Sequence, residues 1–320
     1  MTAPNPIRFS QDRPHGLIDP ASDRWQFKKA APILLAYAPA SRPTQRLKIS
    51  LRITLLTNRD LASNYALNLL LPKLSAKHQL RLFCSDRVGR QPAAPALATL
   101  SFYEQTLPMT LLFPLIDAQS KQGELLTFQG LNRYLTVPMG SLNQPNSQQG
   151  LDELATTEPD LVISIRYGRI LKADALSIPR HGALNLHSGR LPQYRGVMAT
   201  FRAMLAGDEL LGSTLHWIDD ATIDTGRIIS IQSQQTNAEA CYLANTIGLY
   251  PAGCAALADV VDMLEVGKNV PAQTPKDAGR YYSFPSPSDL EAFAAAGHEW
   301  VKPGFVTELL SRYLAPDLSN

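Results

Sequence analysis

The sequence predicts an α/β protein with a mostly parallel, Rossmann-like sheet, and three stretches carry that prediction. Residues 49–57 (ISLRITLLT) are rich in β-branched residues and alternate in polarity. Asn58 and Asp60 then offer capping chemistry ahead of a helix-like run, 61–74 (LASNYALNLLLPKL). A second short apolar run at 79–84 returns at the spacing of a βαβ unit. Residues 161–165 (LVISI) form the compact apolar run of a parallel strand buried on both faces. The turn after the first strand has no glycine-rich fingerprint.

Between and beyond these anchors the chain reads as follows. Residues 1–46 are rich in Pro, Ala, Arg and Ser and read as an arm or partly ordered extension. Residues 93–129 mix apolar, aromatic and Pro residues with weak periodicity and read as a helical connection or insertion. A short strand is expected at 134–138, a polar loop at 141–149, and a helix at 150–157 with acidic residues early in it, where they suit the helix dipole. Downstream, a helix is expected at 197–206, strands at 213–218 and 227–232, and a helix across 238–266 that Pro251-Ala252-Gly253 kinks or splits. The tail holds a Pro- and aromatic-rich loop, a short helix capped by Ser288 or Asp289, and an amphipathic helix near 305–313. The expected organisation is an arm (1–46), a catalytic domain (47–270) and a short C-terminal extension (271–320).

Composition narrows the class. The 320 residues are 45% hydrophobic, and no apolar run approaches the roughly 18 to 20 residues of a membrane span, so a soluble protein is expected. The net charge of +2 comes from 30 basic and 28 acidic residues without the basic blocks that track a phosphate backbone, so charge points to no nucleic-acid partner; no membrane partner is expected either. Cys84, Cys241 and Cys254 form neither a CxxC pair nor a disulfide framework, and the N-terminus lacks the apolar core of a secretory signal. A cytoplasmic protein is the expectation.

The chemistry concentrates in residues 181–229. Asn185 and His187 lie two apart in an apolar strand (ALNLH), so alternation puts both on one face, at the C-terminal edge where open α/β sheets place ligands. A carboxamide N–H and an imidazolium N–H can both donate to an oxygen that becomes negative during acyl transfer. The attacking ammonium must shed a proton, and Asp224, in an Asp-Thr-Gly loop between two strands, can aim a carboxylate back at that edge. A lone His on a strand is ordinarily structural; the surrounding set shifts His187 toward function. His216 reads equally as a partner orienting Asp224 or as a packed core residue, with Thr214 beside it on the same strand. His181 reads as structural, and Tyr194 and Arg195 stay open between packing and function. Histidine and cysteine spacing supports no metal site.

These residues resemble the folate-dependent formyltransferases. The match runs through Asn185-Leu186-His187, then Leu191-Pro192-Gln193-Tyr194-Arg195-Gly196, then Gly212-Ser213-Thr214-Leu215-His216, then Asp224-Thr225-Gly226, in order over about 45 residues. The resemblance implies a formyltransferase fold, with 10-formyltetrahydrofolate as donor. It implies that Asn185 and His187 bind the formyl oxygen and that Asp224 tunes His187. It places the donor pocket at Tyr167, Gly168, Arg169, Ile170 and Leu171 and at the loop Asp219, Asp220, Ala221, Thr222 and Ile223. The likeness covers about residues 47–266. Two departures stand out: Ser188-Gly189-Arg190 replaces the family's usual Pro-Ser-Leu, and a spacer of roughly 30 residues precedes Tyr134. The first makes Ser188, Gly189 and Arg190, with Tyr194 and Arg195, candidates for the acceptor.

Only 96 residues follow Asp224, short of the catalytic remainder plus the further domain of tRNA-acting relatives, so a small-molecule amine is the expected acceptor. N5-hydroxyornithine of siderophore biosynthesis leads, ahead of an amino-sugar nucleotide. Formyltetrahydrofolate hydrolysis and a non-catalytic folate-binding role are the alternatives. The oligomeric state is not legible in the sequence.

Overall fold

The computed structural model describes residues 49–86, 95–119 and 123–315, and the expected arm at 1–46 lies outside them. The opening apolar run forms β1 (Arg52–Asn58), and its side chains alternate between two cores. Ile53 and Leu55 face one; Leu56 faces the other. Asp60 caps α1 (Leu61–Ser75) by accepting from the Ser63 amide at 2.7 Å, and β2 (Gln79–Ser85) returns parallel to β1. The expected strand–turn–helix–strand is therefore present within a few residues of its bounds.

Residues 93–129 are helical over most of their described length, with non-helical residues at 118–119 and 123–127. After α2 (Pro95–Ser101) comes an 11-residue π-helix, Phe102–Leu112, then α3 (Phe113–Asp117) and α4 (Phe128–Leu131). A π-helix bonds i to i+5, so the 3.6-residue period that marks an ordinary helix is missing from this stretch.

The expected strand at 134–138 is not there. A 3₁₀ turn occupies Asn132–Tyr134, and the sheet gains instead β3 (Gly140–Ser141), where the chain passes close over Phe83. The next helix, α5 (Gln148–Ala155), begins two residues earlier than expected, because Ser147 caps it by accepting from the Gly150 amide; this start leaves no acidic residue in its first turn. Next come β4 (Leu161–Ile165), α6 (Ala173–Leu176), β5 (Ala183–His187), β6 (Tyr194–Gly196), α7 (Ala199–Leu205), β7 (Leu210–Trp217) and β8 (Ile228–Gln235).

The main sheet runs β3-β2-β1-β4-β5-β7-β8, parallel through β5, with β7 and β8 antiparallel at its far edge. Leu154, Ala175 and Leu56 share the smaller core under α5 and α6, while α1 packs into the larger one. The order reverses between β1 and β4, and open sheets of this kind bind ligands beyond the carboxyl ends of strands at that point.

The expected helix across 238–266 is two, α8 (Tyr242–Gly248) and α9 (Tyr250–Glu265), split at Leu249 with Pro251 in the first turn of the second. Gly253 serves packing: a Cβ there would lie 2.7 Å from Ser213 Oγ and 2.9 Å from Leu186 Cδ1, so α9 sits directly on β5 and β7. Taken together, 242–265 is long and apolar enough to span a membrane, against the composition-based expectation, yet half of it is buried and it packs against the sheet and α1.

The final segment adds β9 (Arg280–Tyr282), parallel to β6, then α10 (Pro287–Ala295) and α11 (Pro303–Ser311). Ser286, not Ser288 or Asp289, caps α10; it shares a capping box with Asp289, because Pro287 sets the first helical position two or three residues earlier. Tyr313 returns to α1, donating to Asn64 Oδ1 at 2.7 Å with its ring against Phe113. The described residues thus belong to one unit, Arg46–Asn320.

Candidate active site

Register positions the catalytic candidates. Strand β5 pairs antiparallel with β7 so that Asn185 lies opposite His216 and His187 opposite Thr214. Four polar side chains in otherwise apolar strands are thereby two cross-strand pairs. The loop from β7 to β8 carries Asp224 back over them in a left-handed conformation (φ 53°), one that aspartate tolerates better than most residues.

Asp224 is the hub. Its Oδ2 accepts from the Gly196 amide at 2.8 Å and lies 3.5 Å from His187 Nδ1; its Oδ1 accepts from Asn185 Nδ2 at 3.3 Å and lies 3.5 Å from His216 Nε2. Burial alone would raise its carboxyl pKa. The His187 and His216 rings and the Gly196 amide outweigh burial and hold it well below the usual carboxylate range.

The imidazoles are fixed by backbone carbonyls, which only accept. His187 Nε2 donates to Tyr194 O at 2.7 Å, leaving Nδ1 to face Asp224. His216 Nδ1 donates to Trp217 O at 2.8 Å, leaving Nε2 to face Asn185 Nδ2 at 3.1 Å and Asp224 Oδ1 at 3.5 Å. His216 is buried, as a packed core residue would be, and also lies within reach of both Asn185 and Asp224, as an orienting partner would. Thr214 braces the loop after β5, donating to Gly189 O at 2.7 Å and accepting from the Leu191 amide at 3.1 Å.

These groups form one wall of a cavity of about 560 Å³ at the carboxyl ends of β1, β4 and β5. Tyr167, Gly168, Arg169, Ile170 and Leu171 line it, as do Asp220, Ala221, Thr222 and Ile223. Asp219 does not: it forms a bidentate pair with Arg227 and also accepts from the Arg227 amide, which ties the loop shut at its base. Its pKa is lowered by that guanidinium.

The expected acceptor residues divide the same way. Ser188 lines the cavity. Gly189 is packed between His187 and Ala199, where a Cβ would meet Ala199 Cβ at 2.4 Å and His187 Nε2 at 2.7 Å. Arg190 lies along the sheet beside Gly212. The Tyr194 hydroxyl donates to Asp208 at 2.9 Å, and Arg195 donates to Ile223 O and Ala278 O at 2.9 and 2.7 Å. None of those four residues lines the cavity; Tyr194 is engaged by the Asp208 carboxylate and Arg195 by two loop carbonyls, a distinction that proximity in sequence does not reveal.

Sequence reasoning passed over the cavity's other end. Arg166, with φ 56°, donates to Asp60 Oδ2 at 3.0 Å and to Glu104 Oε1 at 3.1 Å, and all three residues line the cavity. Asp60 was legible only as a helix cap, and Glu104 lies in the π-helix. At the loop after β4, Arg169 Nε is buried without a partner among the described residues, so this wall keeps a cation in reserve for an anionic ligand.

Residues 137–240 match the family described as Formyl transferase. Over this segment, about a third of its length, the chain is similar to the formyltransferases. It is 31% identical over 185 residues to a methionyl-tRNA formyltransferase of Frankia casuarinae, covering 56% of this chain and 51% of that protein. It is 32% identical over 166 residues to the methionyl-tRNA formyltransferase of Chromobacterium violaceum, covering 51% of each. The chain therefore spans about half the length of the curated relatives it matches. A 4-N formyltransferase from Francisella tularensis shares the fold, with a TM-score of 0.51 and 13% identity over 84% of this chain and 98% of that one. The family segment takes in β4, β5, the Asn185–His187 pair, β7 and Asp224, the elements that build the candidate wall.

Proposed function

We propose that this chain is a cytoplasmic enzyme that transfers a formyl group from 10-formyltetrahydrofolate to the amine nitrogen of a small molecule. N5-hydroxyornithine is the leading acceptor and an amino-sugar nucleotide the second. The observation that carries the proposal is the convergence of Asn185, His187 and an ionised Asp224 on one cavity wall.

The donor fits on two counts. The cavity falls within the range of small-molecule sites, and the segment Tyr167–Leu171 offers a pocket wall with the unpartnered Arg169 Nε beside it, suited to a folate carboxylate. The donor brings an activated formyl carbon; the chain supplies charge and position. As the acceptor nitrogen bonds to that carbon, the formyl oxygen becomes negative. His187 as an imidazolium, through Nδ1, and the Asn185 amide are placed to donate to it, the latter by releasing its long 3.3 Å bond to Asp224. Asp224 is too weak a base to keep a proton. Its role is to hold the amine by a charge-assisted hydrogen bond and to balance the positive charge on nitrogen until the proton moves to the departing folate nitrogen.

The test is incubation of the purified protein with 10-formyltetrahydrofolate and a panel of N5-hydroxyornithine, amino-sugar nucleotides, glycinamide ribonucleotide and methionyl-tRNA, following tetrahydrofolate and product mass. One formylated small amine supports the proposal. Formylated methionyl-tRNA would replace the acceptor class with that of the relatives named above. Tetrahydrofolate with free formate would make the chain a hydrolase, and folate binding without turnover a binding protein.

A further inference from the structure

The cavity has two charged ends. At one, Asp224 faces His187 and His216. At the other, two buried carboxylates, Asp60 and Glu104, share a single guanidinium, Arg166, and all three line the cavity. With both acids ionised this second end carries one surplus negative charge. Burial pushes the Glu104 carboxyl up to about 7 against the pull of Arg166, as expected where one cation serves two anions.

This arrangement bears on what the acceptor carries besides its reacting nitrogen. A phosphate is ordinarily met at such a fold by free amides at the N-terminus of the first helix or by unpaired cations. Here Asp60 itself occupies that helix end, accepting from the Ser63 amide at 2.7 Å and from Asn58 Nδ2 at 3.0 Å. Arg166 is committed to two carboxylates. Among the described lining residues no lysine is present, and the remaining guanidinium, Arg169, stands in the segment assigned to the donor. A phosphorylated acceptor would therefore bring two negative groups together in a desolvated space, whereas an ammonium would complete the charge balance.

We propose that the Asp60–Glu104–Arg166 end of the cavity is an acceptor-selecting subsite that takes a second ammonium group. The acceptor is thus a diamine or basic amino acid derivative and not a phosphate ester. The inference rests on the formyl-transfer reading, and it separates the amino-acid acceptor from the nucleotide sugar. Glu104 is the group that distinguishes them, because Asp60 is also needed as the α1 cap.

The test is calorimetric titration of the full-length protein with 1,4-diaminobutane, n-butylamine and O-phosphoethanolamine, each in the presence of unreactive 5-formyltetrahydrofolate, whose own binding is titrated first. The diamine is expected to bind at least tenfold more tightly than either other amine. Glu104→Gln is expected to lower its affinity at least tenfold, to the level of n-butylamine, with folate affinity unchanged; Glu104→Asp should recover part of the loss. Should Glu104→Gln fail to fold, the wild-type ranking of the three amines decides alone. O-Phosphoethanolamine binding as well as the diamine, or a Glu104→Gln protein with unaltered diamine affinity, overturns the subsite. Folate binding without diamine preference removes this subsite and leaves formyl transfer standing; diamine preference without folate binding removes the donor reading.

Discussion

In the proposed transfer Asn185 acts through its amide hydrogens, and the residue-scale predictions start there. Replacing one oxyanion donor in a dry site costs on the order of 100- to 1,000-fold in kcat, so Asn185→Ala should lose about that much with little change in fold, since the side chain is only partly buried. Asp224 has a second signature, in stability. Its folded pKa lies below that of an unfolded aspartate, so its contribution is present above the ordinary carboxylate range and is lost as pH falls through it toward the folded value. The stability advantage of the wild type over Asp224→Asn, followed by urea denaturation, should therefore shrink as pH drops from about 5 to about 2. A pH-independent difference would mean that the carboxylate is not held ionised by its neighbours. At this scale the sequence was informative where polar residues interrupt apolar strands, as Asn185, His187, Thr214 and His216 do. It was silent on Arg166 and Glu104, whose meaning depends on a pairing of residues 62 positions apart.

Elements explain why some neighbours of these residues support the site without touching a ligand. Gly226, two residues after Asp224, has no room for a side chain: a Cβ would stand 1.8 Å from Trp217 O, a backbone atom that cannot give way cheaply. Gly226→Ala should cost about 2 kcal/mol in chemical denaturation and displace Asp224, lowering transfer as well. Retention of both stability and activity in that variant would show that the β7–β8 loop does not hold the carboxylate. Strands β1, β2, β4 and β5 were legible because each is a short apolar run with clear alternation or full burial, and α1 because Asp60 announces its start. The two-residue strand β3 and the π-helix were not: the first is too short to have a period, and the second has the wrong one.

For the molecule as a whole, the fold class followed from spacing, but the integration of the final 50 residues did not. They read as an extension; instead β9 pairs with β6 beside the Gly196 amide that holds Asp224, and Tyr313 closes against Asn64 and Phe113. Those contacts join positions about 85 to 250 apart, beyond the reach of any local pattern. Tyr313→Ala should accordingly destabilise by about 3 to 5 kcal/mol, as for a fully buried aromatic, while Tyr313→Phe costs only about 1 kcal/mol, the loss of one hydrogen bond to an Asn64 oxygen that still accepts from Asn68 Nδ2. Equal small losses for both would show that the C-terminal segment is an appendage.

The most direct test of formyl transfer through the Asn185–His187–Asp224 wall is a paired measurement on the wild type and Asn185→Ala. It compares the dissociation constant for 5-formyltetrahydrofolate with the rate of formyl transfer from 10-formyltetrahydrofolate to whichever acceptor the panel identifies. Folate affinity should stay within a few-fold while transfer falls by about 100-fold or more, the pattern of a group that acts on the charge developing during reaction. Undiminished transfer by Asn185→Ala would contradict the assignment.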